Sequence, residues 1–141
     1  MIQPPTSTSS PTTLQVVAAA LFDASGRVLI TQRPAGKPQA GRWEFPGGKI
    51  AALETPAQAL QRELREELGI DVAPEEARFV MHVRHAYADR EVELSFFLIA
   101  RFCGTPVALD GQSMAWVAPG ELNLWHVLEA DAPFVQWLEA R

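Results

Sequence analysis

The sequence has a single cysteine and no long hydrophobic run. Cys103 has no second thiol with which to form a disulfide inside the chain, which suits a reducing compartment, so we expect the protein in the cytoplasm. The longest apolar run extends from Val16 to Phe22 and is far shorter than the ~20 residues that cross a bilayer. The first residues also lack the basic flank and apolar stretch of a secretory signal. We therefore expect neither a membrane protein nor a secreted, disulfide-stabilised one.

Basic residues are also scarce. The chain carries 12 lysines and arginines against 17 aspartates and glutamates, which gives a net charge of -5. Proteins that hold a nucleic-acid polymer usually present a basic surface, so we expect no such partner. An anionic small molecule would need local help from a few arginines, a helix N-terminus or a divalent cation.

What is present fits one domain. The chain has 141 residues, of which 48% are hydrophobic, and this is enough for one core. Residues 1–13 are rich in proline, serine and threonine, a composition that predicts a disordered tail. We predict that residues 14–141 form the folded domain.

The folded part reads as strands, a helix, further strands and a closing helix. The segments "LQVVAAALF" and "RVLITQR" flank the turn residues Asp23 to Gly26, a pattern that predicts an antiparallel hairpin. Further strand-like segments are "RWEF", "ARFVMHVRHAY", "EVELSFFLIARF" and "SMAWVA", and "DAPFVQWLEAR" reads as the last helix. This order predicts an α+β fold in which helices pack on a mixed sheet.

The central helix has clear ends in the sequence. Thr55 is a good N-cap, Pro56 suits the first turn and Gly69 suits the residue just past the C-terminus. These ends predict a helix of about thirteen residues, within the ordinary range. Its buried stripe repeats every four positions and consists of Leu60, Leu64 and Leu68.

Three glutamates lie on this helix beside the leucine stripe. Glu63 and Glu67 are four positions apart and border the stripe, while Glu66 lies further round. With Arg62 and Arg65 between them, they could form an ordinary solvated face with weak ion pairs. However, like charges at this spacing repel, and more strongly near a buried stripe. A divalent cation, which takes carboxylate oxygens and is often shared with phosphates, would relieve the repulsion.

The stretch that contains this helix resembles the Nudix box, and the chain as a whole is similar to the MutT type within that family. The further segments that carry the resemblance are "ITQRP" and "WEFPGGK". The family implies an α/β/α sandwich with a mixed sheet between helices, and divalent-cation-dependent hydrolysis of a nucleoside diphosphate linked to another group. The matching box positions are Gly48, Glu54, Arg62, Glu63, Leu64, Glu66, Glu67, Gly69 and Ile70.

Carried over position by position, the resemblance implies a Mg²⁺ site, in which Mn²⁺ is a possible substitute. The implied ligands are the side chains of Glu63, Glu66 and Glu67 and the backbone carbonyl of Gly47. Asp110 matches an acid that joins the metal site in the MutT type, although it could equally be a turn aspartate. Glu63 is also the candidate for positioning or deprotonating the attacking water.

Other box residues are expected to shape the site or bind phosphate. Arg62 and Glu54 look like the internal pair that holds the loop to the helix. Gly48 lets the backbone come close to a metal or phosphate. Lys49 and Arg33 are candidates for phosphate contacts, although Arg33 could also be an exposed arginine at a strand end.

The base-binding residues are expected outside the box. Asp131 matches the position where the MutT type uses asparagine to read the base edge, but it could also cap the last helix. An ionised carboxylate only accepts hydrogen bonds, whereas an amide also donates, so the base preference cannot be copied across. An aspartate could accept from the exocyclic amino group of cytosine or guanine, or donate if it is protonated in a buried pocket. Phe45, Tyr87 and Arg90 are weaker pocket candidates, each of which could instead be a core aromatic or a loop charge.

One loop residue departs from the MutT type. That type has glycine before the first box glutamate, whereas this chain has Leu53, a residue that adopts positive φ only at a cost. We therefore expect the loop to differ slightly at this point.

The function implied is hydrolysis of a nucleoside triphosphate to a monophosphate and pyrophosphate. Oxidised guanine nucleotides such as 8-oxo-dGTP are the favoured substrates, which would give a role in sanitising the nucleotide pool. The alternatives are hydrolysis of CTP or dCTP, hydrolysis of dinucleoside polyphosphates, which Tyr87 weakly permits, and a non-catalytic nucleotide sensor. We expect a monomer or a weak homodimer.

Overall fold

The computed structural model describes residues 13–141, which form two sheets and two helices. Short 3₁₀ turns cover Pro74–Glu76, Pro119–Leu124 and Glu129–Asp131. The main elements are β1 (Thr13–Leu21), β2 (Val28–Gln32), β3 (Trp43–Glu44), β4 (Gly47–Lys49), α1 (Pro56–Leu68), β5 (Arg78–Tyr87), β6 (Arg90–Ile99), β7 (Met114–Val117) and α2 (Ala132–Glu139).

The larger sheet has the strand order β4-β1-β6-β5. β1 and β6 are parallel, whereas β4 and β5 are antiparallel to their neighbours, so the sheet is mixed. The inner half of β1 is apolar at every position because both of its faces are covered. Val17, Ala19 and Leu21 contact the α1 side of the sheet, and Ala18 and Ala20 contact the α2 side.

The smaller sheet has the order β3-β2-β7, and its arrangement corrects one prediction. The hairpin expected between the first two strands is wrong: β1 and β2 lie in different sheets and meet only at an isolated bridge between Phe22 and Val28. The reason is that β4 and β6 take both edges of β1, while β3 and β7 take both edges of β2. The turn residues are present, but pairing with distant strands decides where each strand lies.

The sheets lie between two apolar cores, one under each helix. The leucine stripe of α1 packs with Leu29, Phe97 and Ile99 on one side. On the other side, Phe134 and Leu138 of α2 pack with residues of both sheets. The α/β/α sandwich implied by the family resemblance is therefore confirmed.

The ends of α1 are as predicted. The Thr55 hydroxyl accepts the N–H of Gln58 at 3.1 Å, and the Gln58 side chain accepts the N–H of Thr55 at 2.9 Å, which forms a capping box. At the other end Gly69 has φ of 68°, the left-handed conformation that favours glycine. The caps fix the ends of α1, and its buried leucine stripe fixes its rotation and therefore the direction of its glutamates.

Leu53 has a left-handed backbone conformation, which favours glycine. Its φ is 69° and its side chain is fully exposed, with a relative exposure of 103%. This conformation costs a non-glycine residue about 1–2 kcal/mol. No packing offsets this cost, because the side chain lies in solvent. The expected difference between this loop and that of the MutT type stays a prediction.

The start of the chain lies outside the described residues. The predicted disorder of residues 1–13 stays a prediction, although Thr13 itself begins β1, one residue before the predicted domain boundary. Among residues 13–141 neither helix has the length or the apolar composition needed to cross a membrane.

Candidate active site

A cleft of about 810 Å³ brings together most of the predicted site residues. Glu54, Arg62 and Glu66 do not line it. The predicted residues that line it are Arg33, Phe45, Gly47, Gly48, Lys49, Glu63, Glu67, Tyr87, Arg90, Asp110 and Asp131. We call Gly47, Gly48, Glu63, Glu67 and Asp110 the helix side of the cleft, and Arg33, Glu44, Phe45 and Asp131 the turn side.

The two glycines let β4 approach its neighbours closely. A Cβ atom on Gly47 would lie 1.9 Å from the backbone oxygen of Val17 in β1. A Cβ atom on Gly48 would lie 2.2 Å from the Oε2 atom of Glu63. Only glycine therefore fits at position 47, where the neighbour is backbone, and a side chain at position 48 would displace the Glu63 carboxylate.

Arg62 connects the loop before α1 to two of its glutamates. Its guanidinium donates to both oxygens of Glu54, at 2.6 and 2.9 Å, and to the backbone oxygen of Lys49 at 3.0 Å. It also donates to Glu63 at 2.8 Å and to Glu66 at 2.9 Å. These hydrogen bonds from Arg62 lower the pKa of Glu54 to about 2. Arg62 thus pairs with Glu54 and also contacts Glu63 at the edge of the cleft, and its functional role stays a prediction.

Glu67 has the most unfavourable environment for a negative charge on the helix side. Burial, together with the charges of Glu63, Glu44 and Asp110, raises its pKa to about 8, against the opposing effect of a hydrogen bond from the Gly47 N–H. Its Oε2 atom is buried and has no hydrogen-bond partner. A buried carboxylate oxygen without a partner is costly, so this side of the cleft requires a proton or a cation.

The helix side fits a hard divalent cation in its donor atoms, although it is not a closed cage. Within residues 13–141, no three acidic, histidine or cysteine side chains are already gathered around one position. Glu66 is turned towards Arg62, and its side chain is 56% exposed. Mg²⁺ commonly keeps several waters and shares phosphate oxygens with few protein ligands. Glu63, Glu67 and nearby backbone oxygens suit that mode. The ligand roles of all the predicted residues, including Glu66 and Asp110, stay predictions.

Asp131 lies on the turn side and is buried, with a relative exposure of 2%. Its carboxylate makes no side-chain cap to α2, so the capping interpretation is wrong. Instead, its Oδ2 atom accepts the N–H of Phe45 at 3.3 Å. Burial raises its pKa well above the ordinary value, and the charge of Glu44 adds to this effect.

Glu44 is the functional candidate that sequence reasoning missed. It lies in β3, lines the cleft, and raises the pKa of both Glu67 and Asp131 by its charge. Burial raises the pKa of Glu44 itself, and Arg33 partly offsets this. The sequence did contain one signal, an acid between the aromatic residues Trp43 and Phe45.

Arg33 is already engaged in the structure. Its Nη1 atom donates to Glu44 at 3.2 Å and its Nε atom donates to the backbone oxygen of Pro38 at 2.7 Å. Arg33 therefore ties the loop after β2 to the turn side, and its phosphate contact stays a prediction. Lys49 has an exposed side chain at the cleft, where a phosphate contact needs no rearrangement of an ion pair.

The three weaker candidates have different environments. The ring of Phe45 is buried and packs edge-on against Phe134 with centroids 5.0 Å apart, so it is largely a core residue. The hydroxyl of Tyr87 accepts the N–H of Ala130 at 3.2 Å. Arg90 lines the cleft and its Nε atom is buried without a hydrogen-bond partner, which makes it the best placed of the three to bind a ligand.

A second residue missed from the sequence is Gln112. Its Oε1 atom accepts the N–H of Asp110 at 3.0 Å, and its Nε2 atom lies 3.4 Å from the backbone oxygen of Glu67. Gln112 thereby connects the loop of Asp110 to the C-terminal turn of α1. No sequence pattern marks it, because the contact joins residues far apart in the chain.

Comparison with known proteins agrees with this geometry. The model of the NUDIX domain matches residues 12–138. A CTP pyrophosphohydrolase of Escherichia coli is 38% identical over 120 residues, which cover 85% of this chain and 87% of the relative. An 8-oxo-dGTP diphosphatase of the same species is 34% identical over 126 residues, which cover 89% and 96% of the two chains.

The fold agrees with solved structures as well. The solution structure of the Escherichia coli ORF135 protein superposes with a TM-score of 0.79 at 36% identity, and the match covers 92% of this chain and 91% of that one. The likeness extends over the sheets and both helices rather than the box alone.

Proposed function

Because this chain belongs to the NUDIX domain family, we propose that it is a Mg²⁺-dependent pyrophosphohydrolase that converts nucleoside triphosphates to nucleoside monophosphates and pyrophosphate. The observation that carries the proposal is the helix side of the cleft. There Glu67 has a buried oxygen without a partner and a pKa raised to about 8 by burial and neighbouring carboxylates. A site in which the protein leaves negative charge uncompensated, beside a cleft of about 810 Å³, is suited to a substrate that arrives with a cation.

Glu63, Glu66 and Glu67, the Gly47 carbonyl and Asp110 are the proposed ligands. The cation, Mg²⁺ or Mn²⁺ in its place, would supply positive charge to the phosphoanhydride oxygens. In the structure Glu66 accepts a hydrogen bond from Arg62. We therefore propose that Glu66 binds the cation, directly or through water, only when substrate is bound.

The chain's own residues carry the reaction. Glu63 orients the attacking water and accepts its proton, and Arg62 holds the carboxylate of Glu63 in place by a hydrogen bond of 2.8 Å. The water oxygen attacks the β-phosphorus, the bond from that phosphorus to the bridging oxygen breaks, and the monophosphate leaves with that oxygen. Lys49 and the backbone at Gly48 face the phosphates in this proposal, with Arg33 joining from the far wall.

The turn side is proposed to select the nucleobase. Asp131 has one oxygen on the Phe45 N–H and lines the cleft, and Glu44 lies close enough to raise its pKa. Two neighbouring acids can accept hydrogen bonds from the ring N–H and exocyclic amino group of a guanine. Arg90, with its unpartnered Nε atom, is the donor for a carbonyl or phosphate oxygen. We therefore propose oxidised guanine nucleotides such as 8-oxo-dGTP as the substrate.

Cytidine triphosphates are the second candidate. The observation in their favour is again the carboxylate at position 131, which accepts from the exocyclic amino group of cytosine as readily as from guanine. The 38% identical relative is named for CTP, whereas the 34% identical one is named for 8-oxo-dGTP, so identity does not decide between them.

A nucleotide panel tests the proposal. The purified protein with Mg²⁺ is assayed on 8-oxo-dGTP, dGTP, CTP, dCTP and a dinucleoside tetraphosphate, and kcat/KM is compared. We expect pyrophosphate as the first product and the largest kcat/KM for 8-oxo-dGTP. A lead for CTP would move the assignment to the second candidate, and preference for the dinucleotide would move it to that class. Tight binding without turnover at any pH or with any cation would indicate a nucleotide sensor.

We also propose that the protein acts in the cytoplasm as a monomer or weak homodimer, without a nucleic-acid polymer as partner. The net charge of -5 and the single cysteine support this setting. Light scattering across a concentration series and electrophoretic mobility of a DNA probe are the corresponding tests.

A further inference from the structure

Backbone hydrogen bonds hold the short turn that carries Asp131 on both sides of Ala130, and in one of them the Asp131 N–H donates to the Leu128 oxygen at 3.0 Å. Upstream, the N–H of Trp43 donates to the His126 oxygen at 2.7 Å, and the N–H of Leu128 donates to the Trp43 oxygen at 2.9 Å. This ladder with β3 reaches Leu128. Ala130 lies beyond it, immediately before Asp131, and its N–H turns to a side chain from a different sheet.

That side chain is Tyr87, the last residue of β5. Its hydroxyl oxygen accepts the Ala130 N–H at 3.2 Å, and Ala130 itself is buried. A buried backbone N–H without a partner costs about 1–3 kcal/mol, so this bond stabilises one position of the turn. The ring of His85 packs edge-on against the Tyr87 ring, with centroids 4.5 Å apart, and supports the ring's orientation.

His85 itself does not provide a second strong bond to the turn. Its Nε2 atom lies 3.5 Å from the Glu129 carboxylate and satisfies no hydrogen-bond criterion. Tyr87 is therefore the polar connection from β5 to the turn.

We propose that Tyr87 is a positioning residue for nucleotide selection, which holds Asp131 in place through the Ala130 N–H. The hydroxyl is already used in this bond, so Tyr87 acts through Asp131. This inference rests on the proposed role of Asp131 in selecting the nucleobase. Asp131 accepts the Phe45 N–H at 3.3 Å. The turn that carries Asp131 is held separately by the hydrogen bond from the Ala130 N–H to Tyr87.

The test is a double-mutant cycle of Tyr87→Phe and Asp131→Ala, read as selectivity. Selectivity is the ratio of kcat/KM for the preferred nucleoside triphosphate to that for dTTP. Tyr87→Phe removes one neutral hydrogen bond, for which a loss of about 5-fold in selectivity is expected, chiefly through a higher KM for the preferred nucleotide. In the Asp131→Ala background the same change should have no further effect on selectivity, because the group that it positions is gone.

A matched control separates positioning from general loss of stability. Ile99→Val removes one methyl group from the core under α1 and destabilises by about 0.5–1.5 kcal/mol, comparable to the expected loss in Tyr87→Phe. We expect it to lower the thermal midpoint but leave selectivity unchanged. Amide hydrogen exchange gives a readout that does not depend on turnover: the Ala130 amide should exchange faster in Tyr87→Phe than in wild type, and not in Ile99→Val.

The outcomes distinguish the two levels of the argument. Absence of pyrophosphate from every nucleotide with the wild-type protein contradicts the proposed function. Unchanged selectivity in Asp131→Ala overturns the base assignment and the role of Tyr87 with it. If Asp131→Ala lowers selectivity but Tyr87→Phe does not, or if the two effects multiply, the positioning role alone is wrong.

Discussion

The two sides of the cleft both carry acids, but they treat the negative charge differently. On the helix side, Glu67 faces Glu63 with one buried oxygen unpaired, so the charge there exceeds what the protein compensates. On the turn side, Glu44 is paired with Arg33, and Asp131 accepts a backbone N–H. This difference is the basis for our proposal that the helix side binds a cation and that the turn side accepts hydrogen bonds from a neutral ring.

The largest expected effect is on the helix side. Glu63→Gln removes the proposed proton acceptor while keeping the side chain's shape, so kcat should fall by about 10²–10⁴-fold with the fold intact. Steady-state pyrophosphate release measures kcat, and a circular dichroism spectrum shows whether the fold is intact. Glu75→Gln, which changes an exposed glutamate in the turn Pro74–Glu76, is the control and should be as active as wild type. Near-normal turnover in Glu63→Gln would remove this residue from the mechanism.

The turn side should respond in selectivity rather than in overall rate. Asp131→Ala removes a charged acceptor, worth about 1.5–3 kcal/mol in a hydrogen bond, so the preference for the best nucleotide should fall about 10–100-fold. The kcat for poor substrates should change little. If Asp131→Ala lowered kcat/KM equally for every nucleotide, Asp131 would support the helix side of the cleft instead of base selection.

The pH dependence of stability sharpens the same contrast. Burial raises the pKa of Asp131 in the folded state, so the folded protein binds a proton more tightly there than the unfolded chain does. This contribution is favourable at low pH and is lost as the pH rises above about 4. Asp131→Asn keeps an acceptor for the Phe45 N–H but does not titrate. Its free energy of unfolding should exceed that of wild type at pH 8, by on the order of 1 kcal/mol, and the difference should shrink towards pH 4.

Urea unfolding at several pH values measures this effect. The wild-type and Asp131→Asn curves should converge at low pH. If the difference in free energy of unfolding between the two proteins were the same at every pH, the amide would act through packing and not by removing the charge of the aspartate.

The smallest effect is expected outside the cleft, at Leu53. Leu53→Gly releases a left-handed conformation that costs about 1–2 kcal/mol, offset by about 0.5–1 kcal/mol of glycine's backbone entropy, so the free energy of unfolding should rise by about 0.5–1 kcal/mol. Leu124→Gly, at an exposed leucine outside that conformation, is the matched control and should not stabilise the protein. Destabilisation by Leu53→Gly would mean that the leucine makes contacts in solution that its exposure hides.

The contrast between the sides also explains what the sequence could reveal. The helix side was predictable because its glutamates and caps lie in one continuous stretch, where spacing alone fixes their direction. Thr55 and Gly69 determine the helix ends by local hydrogen bonds and backbone conformation, and the structure agrees at both. The α/β/α architecture followed from the family resemblance and not from local pattern.

The turn side was not predictable from local pattern. From the sequence Asp131 is a candidate helix cap. In the structure its carboxylate instead accepts the N–H of Phe45, a residue far away in the chain. Glu44 became visible as a site residue only when the fold placed it near two other acids. The same limit applies to the hairpin, because a local turn between β1 and β2 does not determine which strands take their edges.

The most direct test of the account is hydrolysis of the preferred nucleoside triphosphate in oxygen-18-labelled water with Mg²⁺. Mass spectrometry then shows which product carries the label. Attack at the β-phosphorus predicts that pyrophosphate is labelled, that the monophosphate is not, and that chelation of the cation stops the reaction. Label in the monophosphate, inorganic phosphate as the first product, or undiminished turnover after chelation would contradict the account.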